Sequence, residues 1–248
     1  YAEYTINHPL WEGLSAFAVE NGLGMQLHLA QSQEESDSCA DRTGLTPAEL
    51  LDCHGIFRGP ATAAGCTGLT QEERRLLSKR KASAVALPLE AARAGAAGIP
   101  IADCVKSGMN VALGTGGAAD TGNLDLFEVM RHAVMDSRRT GAPLPPQAAL
   151  MMATVCGARA QGRADECGML KEGMDADLVL VDFSAPHLMP CHNVMGSLVF
   201  SATGCDVAMT MVRGNILYRS GQFPTLDLRA CVEELTQYAI PTLLAQEA

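Results

Sequence analysis

Positive charge is thin in this sequence. Lysine and arginine number 18 against 28 aspartates and glutamates, a formal net charge of −10, and no stretch gathers the basic residues into a cluster. That balance argues against nucleic acid and anionic membrane as partners. No apolar run approaches twenty residues, so no helical membrane span is expected. No C-x-x-C pair occurs among the nine cysteines (Cys39, Cys53, Cys66, Cys104, Cys156, Cys167, Cys191, Cys205, Cys231). An odd set without paired spacing points to a reduced, cytoplasmic protein with buried thiols. Disorder is excluded by 48% hydrophobic residues against 19% charged ones, the balance of a globular chain. The 248 residues suffice for one large domain or for one and a half smaller ones. The chain opens on Tyr1, not Met, with no signal peptide before it, so an absent upstream part or an excised fragment is expected.

What is present is organised around Asn110 to Arg131, NVALGTGGAADTGNLDLFEVMR. The apolar run Val111-Ala112-Leu113 ends in Gly114-Thr115-Gly116-Gly117, followed by a polar loop and an amphipathic segment with Leu124, Phe127, Val129 and Met130. Strand, glycine turn, loop, helix is the repeating unit of an α/β fold. Ligands of such folds bind beyond the carboxyl ends of the strands, so Gly114 to Asn123 is expected to line a pocket. Gly114, Gly116 and Ala119 also fit G-x-G-x-x-A. A dinucleotide site needs the helix to open inside that pattern. Here the best caps, Thr121 and Asn123, come too late, and a Pro-rich turn follows the helix instead of a second strand. The nucleotide reading is rejected.

Along the chain, Pro9 suits the start of a helix on which Leu10, Leu14 and Phe17 recur on one face, and Asn21-Gly22 stops it. Gly24 to Ala30 alternates as a strand, with Gln26, His28 and Ala30 on the polar-facing side. Taken alone, His28 reads as a core histidine satisfied by its neighbours. A helix begins near Thr46-Pro47 with Leu50 and Leu51 inward, and Gln71 to Arg80 is a charged helix with a solvated face. Strands are expected at Ala61 and at Ala82 to Leu87, and helices at Ile101 to Ser107 and Leu144 to Ala160, whose methionines are core filler. Val207 to Val212 and Ile216 to Tyr218 read as a hairpin through Gly214-Asn215. His187, Cys191 and His192 have ligand chemistry, but a surface loop is the better reading than a zinc site.

Several of these stretches resemble the amidohydrolase superfamily, in the C-terminal half of its S-adenosylhomocysteine, guanine and triazine hydrolases. Residues 114–131 are similar to the family's G-T-D-G…N-x-D-x-F segment. Tyr1-Ala2-Glu3-Tyr4-Thr5 resembles H-x-x-Y-T, and His28-Leu29-Ala30-Gln31-Ser32 resembles H-L-x-E-[ST]. Residues 64–69 (AGCTGL) resemble A-H-C-x-H-L, residues 86–91 keep only Pro88 of H-C-P-x-S-N, and residues 149–158 are similar to A-L-x-M-A-T-x-x-G-A. The most specific match is Cys167 to Val179, similar to G-x-[IL]-x-x-G-x-x-A-D-[IL]-V, which in the family leaves the barrel for a small β-sandwich.

The resemblance implies an α/β fold: a partial (βα)8 TIM-like barrel holding the later strands only, then a segment of a β-sandwich. The expected division is 1–165 for the barrel part, 166–222 for the sandwich segment and 223–248 for a helical tail. In the family a histidine at position 1 contacts substrate, His28 binds metal, a glutamate at 31 moves protons, histidines stand at 65 and 68, and an aspartate at 116 serves metal and water. The resemblance thus marks Tyr1, Gln31, Gly65, Gly68 and Gly116 as a vestigial pocket and His28 as a vestigial metal ligand. One imidazole cannot hold a catalytic divalent ion that needs three or more protein ligands.

No catalytic residue and no cofactor is therefore expected, and the first reading is a catalytically degenerate homologue with a binding or assembly role. The alternative is an active hydrolase of C–N bonds on a purine- or triazine-like ring, with one zinc or iron. It would be completed by an N-terminal half carrying the family's H-x-H pair, or would use relocated groups such as Asp120, Cys66 or His54. Expected partners are a small heterocyclic ligand and either the missing N-terminal half or a second copy.

Overall fold

Alternating burial defines the first strand. In the computed structural model, which describes residues 2–246, β1 (Met25–Leu29) buries Leu27 and Leu29, exposes Gln26 and half-buries His28. Three short strands join it: β2 (Ala61–Gly65), β3 (Ser83–Ala86) and β4 (Asn110–Leu113). They form one parallel sheet in the order β1-β2-β3-β4. Registers run straight across, with Leu27, Ala63, Ala84 and Val111 in one buried row and His28, Ala64, Val85 and Ala112 in the next. The order runs without reversal, so this sheet has no switch point of the doubly wound kind.

Helices stand before and between these strands, and their starts are chemically marked. In α1 (His8–Glu20) the Asn7 side chain accepts from Leu10 N at 3.0 Å. The buried face of α1 differs from expectation: Trp11, Ser15 and Ala18 go inward, and Leu10, Leu14 and Phe17 are exposed. The one large indole, 2% exposed, sets the rotation, together with Ser15 Oγ donating to Gly55 O at 2.7 Å. Ser32 caps α2 (Gln33–Thr43), and capping boxes Thr46/Glu49 and Thr70/Glu73 open α3 (Pro47–Cys53) and α4 (Gln71–Lys79). Leu50 and Leu51 face the core as expected. Glu73 departs from the solvated face of α4: it is buried and also accepts from Ala48 N at 3.3 Å. Between β3 and β4 lie α5 (Pro88–Arg93) and α6 (Ile101–Lys106).

After β4 come a single turn, α7 (Ala118–Thr121), and then α8 (Leu126–Arg139). Asp125, not Thr121 or Asn123, caps α8 by accepting from Phe127 N at 2.9 Å. Both expected caps are engaged elsewhere, for Thr121 Oγ1 donates to Asn123 O and Asn123 Oδ1 accepts from Asp125 N. The stretch expected as one helix from Leu144 to Ala160 is two, α9 (Pro146–Ala153) and α10 (Val155–Ala160), broken at Thr154 with φ −125° and ψ −89°. The Thr154 hydroxyl bonds back to Leu150 O at 2.7 Å, a pattern that bends helices.

A separate three-stranded antiparallel sheet contains β5 (Leu178–Val181), β6 (Val207–Val212) and β7 (Asn215–Arg219), with α11 (Val194–Phe200) between β5 and β6. The hairpin turns through Arg213-Gly214, one residue earlier than expected. Both have positive φ, +49° and +77°, as a tight two-residue hairpin turn requires. The chain ends in α12 (Leu228–Glu234), a π turn at Leu235–Ala239, and α13 (Ile240–Gln246). Among the described residues no helix is long and apolar enough to cross a membrane.

Candidate functional site at the mouth of the parallel sheet

The polar-facing side of β1 and the loops beyond β3 and β4 enclose an open cavity of about 810 Å³. Its apolar lining includes Ala64, Val85 and Leu87, and its polar side chains are Gln26, His28, Gln31, Thr115, Glu90 and Asp120. The size falls within the range of small-molecule sites. Gly114, Gly116 and Gly117 form the wall past β4, where the glycine turn is expected to place a pocket.

Each loop is held by identifiable bonds. At the end of β1, Ala30 takes φ +46°, and the Glu35 carboxylate accepts from Ala30 N at 3.1 Å and Gln31 N at 2.8 Å. Burial pushes the Glu35 carboxyl above the ordinary glutamate range, against those two bonds and the nearby His28. Across the β1–β2 junction Cys66 N donates to Leu29 O at 2.8 Å and Gly68 N to Ala30 O at 2.9 Å, and the Thr67 hydroxyl donates to Gln31 O. Gln31 is thereby fixed at the rim of the mouth.

The glycines of this region are places where neighbours have moved in. A Cβ on Gly65 would meet Gln31 Cγ at 3.0 Å, and one on Gly68 would meet Ser32 O at 3.0 Å and Ser36 Oγ at 3.1 Å. A Cβ on Gly116, at φ +70°, would meet Glu90 Oε2 at 2.8 Å. Larger side chains at 65, 68 and 116 would have to displace Gln31, the Ser32 turn and Glu90.

His28, Gln31 and Gly116 thus come together around one cavity. Gly65 lies beside Gln31 at a smaller side cleft, and Gly68 packs away from the mouth against α2. Tyr1 lies outside the described residues. His28 Nδ1 is buried and has no hydrogen-bond partner among the described residues, so the reading of a satisfied core histidine does not hold. Of the relocated groups, Asp120 lines the mouth. Cys66 is fully buried, and burial pushes its thiol far up, which removes it as a nucleophile. His54 does not line the cavity and instead pairs with Glu12 at 3.2 Å.

His187, Cys191 and His192 do not converge. His187 Nε2 meets Asp206 Oδ2 at 3.0 Å, and Cys191 Sγ faces Ser197 Oγ at 3.5 Å. Burial works against ionisation of Asp206, yet bonds from His187 and Thr203 hold its carboxyl below the usual range. Among the described residues no group of three or more His, Cys, Asp or Glu side chains could hold a metal ion.

Two functional candidates escaped sequence reasoning. Glu90 was visible only as a departure at the serine of H-C-P-x-S-N. Glu35 carries its signal in the capping position after Ser32, but the bonds to Ala30 and Gln31 need the folded loop.

Residues 4–217 match the amidohydrolase family. The 5-methylthioadenosine/S-adenosylhomocysteine deaminase of Moorella thermoacetica is 37% identical over 219 residues, 87% of this chain and 51% of that protein. The 5′-deoxyadenosine deaminase of Methanosarcina acetivorans is 36% identical over 220 residues, 88% of this chain and 50% of that one. Among solved structures, an adenosine deaminase from Xanthomonas campestris with bound zinc superposes with a TM-score of 0.90 at 28% identity, covering 96% of this chain and 55% of that one. Atrazine chlorohydrolase from Arthrobacter aurescens, TM-score 0.84 and 24% identity over 93% of this chain and 52% of that chain, shares the fold. The chain spans about half the length of the curated relatives it matches.

Proposed function

Because this chain belongs to the amidohydrolase family, we propose that its mouth recognises a purine-like ring, the ligand class named for its nucleoside deaminase relatives. The observation that carries this is the cavity of about 810 Å³ beyond the carboxyl ends of four parallel strands, with apolar lining residues and a few polar groups at its rim. A flat heteroaromatic ring fits such a surface, and its edge nitrogens need the rim. On this reading the four strands are an arc of a (βα)8 barrel in residues 1–165. The antiparallel sheet is a sandwich segment in 166–222, and 223–248 is a helical tail. Nine free cysteines without a disulfide fit a reducing, cytoplasmic setting.

The donor set does not fit a divalent metal. His28 offers one imidazole, while Gly65, Gly68 and Gly116 offer nothing and their space is filled by Gln31, Ser32 and Glu90. We therefore read Gln31 and Gly116, with Gly65 at the adjoining cleft, as a pocket reworked for binding, to which Gly68 does not contribute. Hydrolytic deamination of the same ring is the second reading, favoured by relatives 36–37% identical that are named deaminases. It requires metal and proton-transfer groups from outside this set.

Calorimetric titration of the full chain with adenosine and 5′-deoxyadenosine, alongside ammonia release and elemental analysis, tests both. Saturable binding, no bound metal and no ammonia is the expected result. Failure to bind either nucleoside overturns ring recognition. Turnover above about 1 s⁻¹ overturns the non-hydrolytic reading in favour of deamination.

A further inference from the structure

We infer that Glu90 is the specificity-determining residue of the mouth, accepting N–H donors from an amino-substituted heterocycle. The inference rests on the ring-binding reading above and names which side chain selects the ring. Pro88 opens α5 directly after β3, and Glu90 stands in its first turn. The carboxylate reaches across to the loop after β4, where Oε2 lies 2.8 Å from the position a Cβ on Gly116 would take. Gly116, without a side chain and at φ +70°, is what admits it.

In that position Glu90 is half-buried and lines the cavity, and its carboxylate has no ion pair and no hydrogen bond among the described residues. A half-buried carboxylate that faces a cavity, with no protein donor committed to it, is open to accept from a ligand. The other polar side chains of the mouth leave it uncommitted: the Thr115 hydroxyl donates to Gly116 O, and neither Gln26, His28 nor Gln31 bonds to Glu90 among the described residues. An ionised carboxylate only accepts. The complement is a ring edge with an amino group, and a ring with a bare edge at that position leaves the carboxylate unsatisfied.

The full chain is titrated with adenosine and with purine riboside, which differ only in the 6-amino group, for the wild type, Glu90→Gln and Glu90→Ala. Wild type is expected to bind adenosine about tenfold more tightly, the value of one charge-assisted hydrogen bond. Glu90→Ala should reduce that preference to less than about twofold, through weaker adenosine binding, and Glu90→Gln should lie between. Because Glu90→Gln keeps the shape, its intermediate preference separates lost recognition from lost folding. Equal binding of both nucleosides by the wild type overturns the role of Glu90 and leaves ring recognition standing. So does an equal loss for both in Glu90→Ala, since Glu90 would then touch a shared part of the ligand. If the wild type binds neither, the ring-binding reading fails and this one with it.

Discussion

Gly116→Asp puts back the carboxylate that the family carries at this position, and the local geometry opposes it twice. The backbone sits at φ +70°, where a residue with a Cβ loses about 1–2 kcal/mol; Asp, which tolerates this region well, should fall at the low end. The new Cβ would lie 2.8 Å from Glu90 Oε2, so Glu90 must swing aside, and two carboxylates then share one mouth. At a separation of ~5 Å and an effective dielectric of ~20, like charges repel by roughly 3 kcal/mol. Solvent screening in the open cavity leaves about 1 kcal/mol of that. The variant should therefore lose about 2 kcal/mol of stability, of which about 1 kcal/mol returns when Glu90→Ala is added. Urea unfolding of the wild type, the two single variants and the double variant closes the cycle. The coupling should shrink at high salt, since it is electrostatic. Strict additivity, within about 0.3 kcal/mol, would refute the contact. Gly116→Asp alone should restore neither metal binding nor turnover, because His28 stays the lone imidazole and Gly65 and Gly68 still supply no ligand.

Burial raises the Glu35 carboxyl above its ordinary value of 4.5, so over that window the native chain holds a proton that the unfolded chain has released. Its contribution to stability is present below the ordinary value and lost as pH rises through the raised one. Denaturant midpoints of the wild type should fall relative to Glu35→Gln as pH rises from about 4 towards 7, and parallel profiles would contradict the assignment. Thiol titration in the native state should label Cys53, Cys205 and Cys231 first, which are exposed, and reach Cys66 and Cys104 only on unfolding. Burial pushes Cys66 up further than Cys104, which stands at about 11, so early labelling of either would refute the packing around β2 and α6. Finally, β1 and β4 each pair on one side only within the parallel sheet, and open edges recruit partners. Light scattering after size exclusion should find the isolated chain associated, and a monodisperse monomer that unfolds cooperatively would argue against it.

The strands were legible because their signal is local. Leu27 and Leu29 alternate with Gln26 and His28, and Val111-Ala112-Leu113 is a short apolar run ended by glycine. The inner face of α1 was not, since three exposed apolar residues spell the stronger periodic pattern and only tertiary contact of Trp11 overrides it. The break at Thr154 depends on where one hydroxyl points. At the site, the departures Gln31, Gly65, Gly68 and Gly116 could be read from the chain, but their occupants could not. Glu90 meets Gly116 only because Ala86 and Leu113 share a register across β3 and β4, which links positions 26 apart by a pairing no local pattern records.

At the opposite end of the parallel sheet, Thr62 Oγ1 donates to Ala160 O at 2.8 Å, and Asn110 Nδ2 donates to both Ser83 Oγ and Cys156 O at 3.0 Å. Two strands, β2 and β4, are thus bolted near their amino ends to carbonyls of a single helix, α10, and Asn110 ties β3 to the same clamp. A sheet fastened along its foot moves like a fan held at the handle. The clamp holds the base of β2 and β4, so compliance is left to the opposite end, where Glu90 and Gly116 stand, while Gln31 is held by its own bonds. Segments at the low end of local stability are the ones that accommodate ligands. The clamp therefore sets a gradient, with a stiff base that preserves strand spacing and a rim free to adjust its opening.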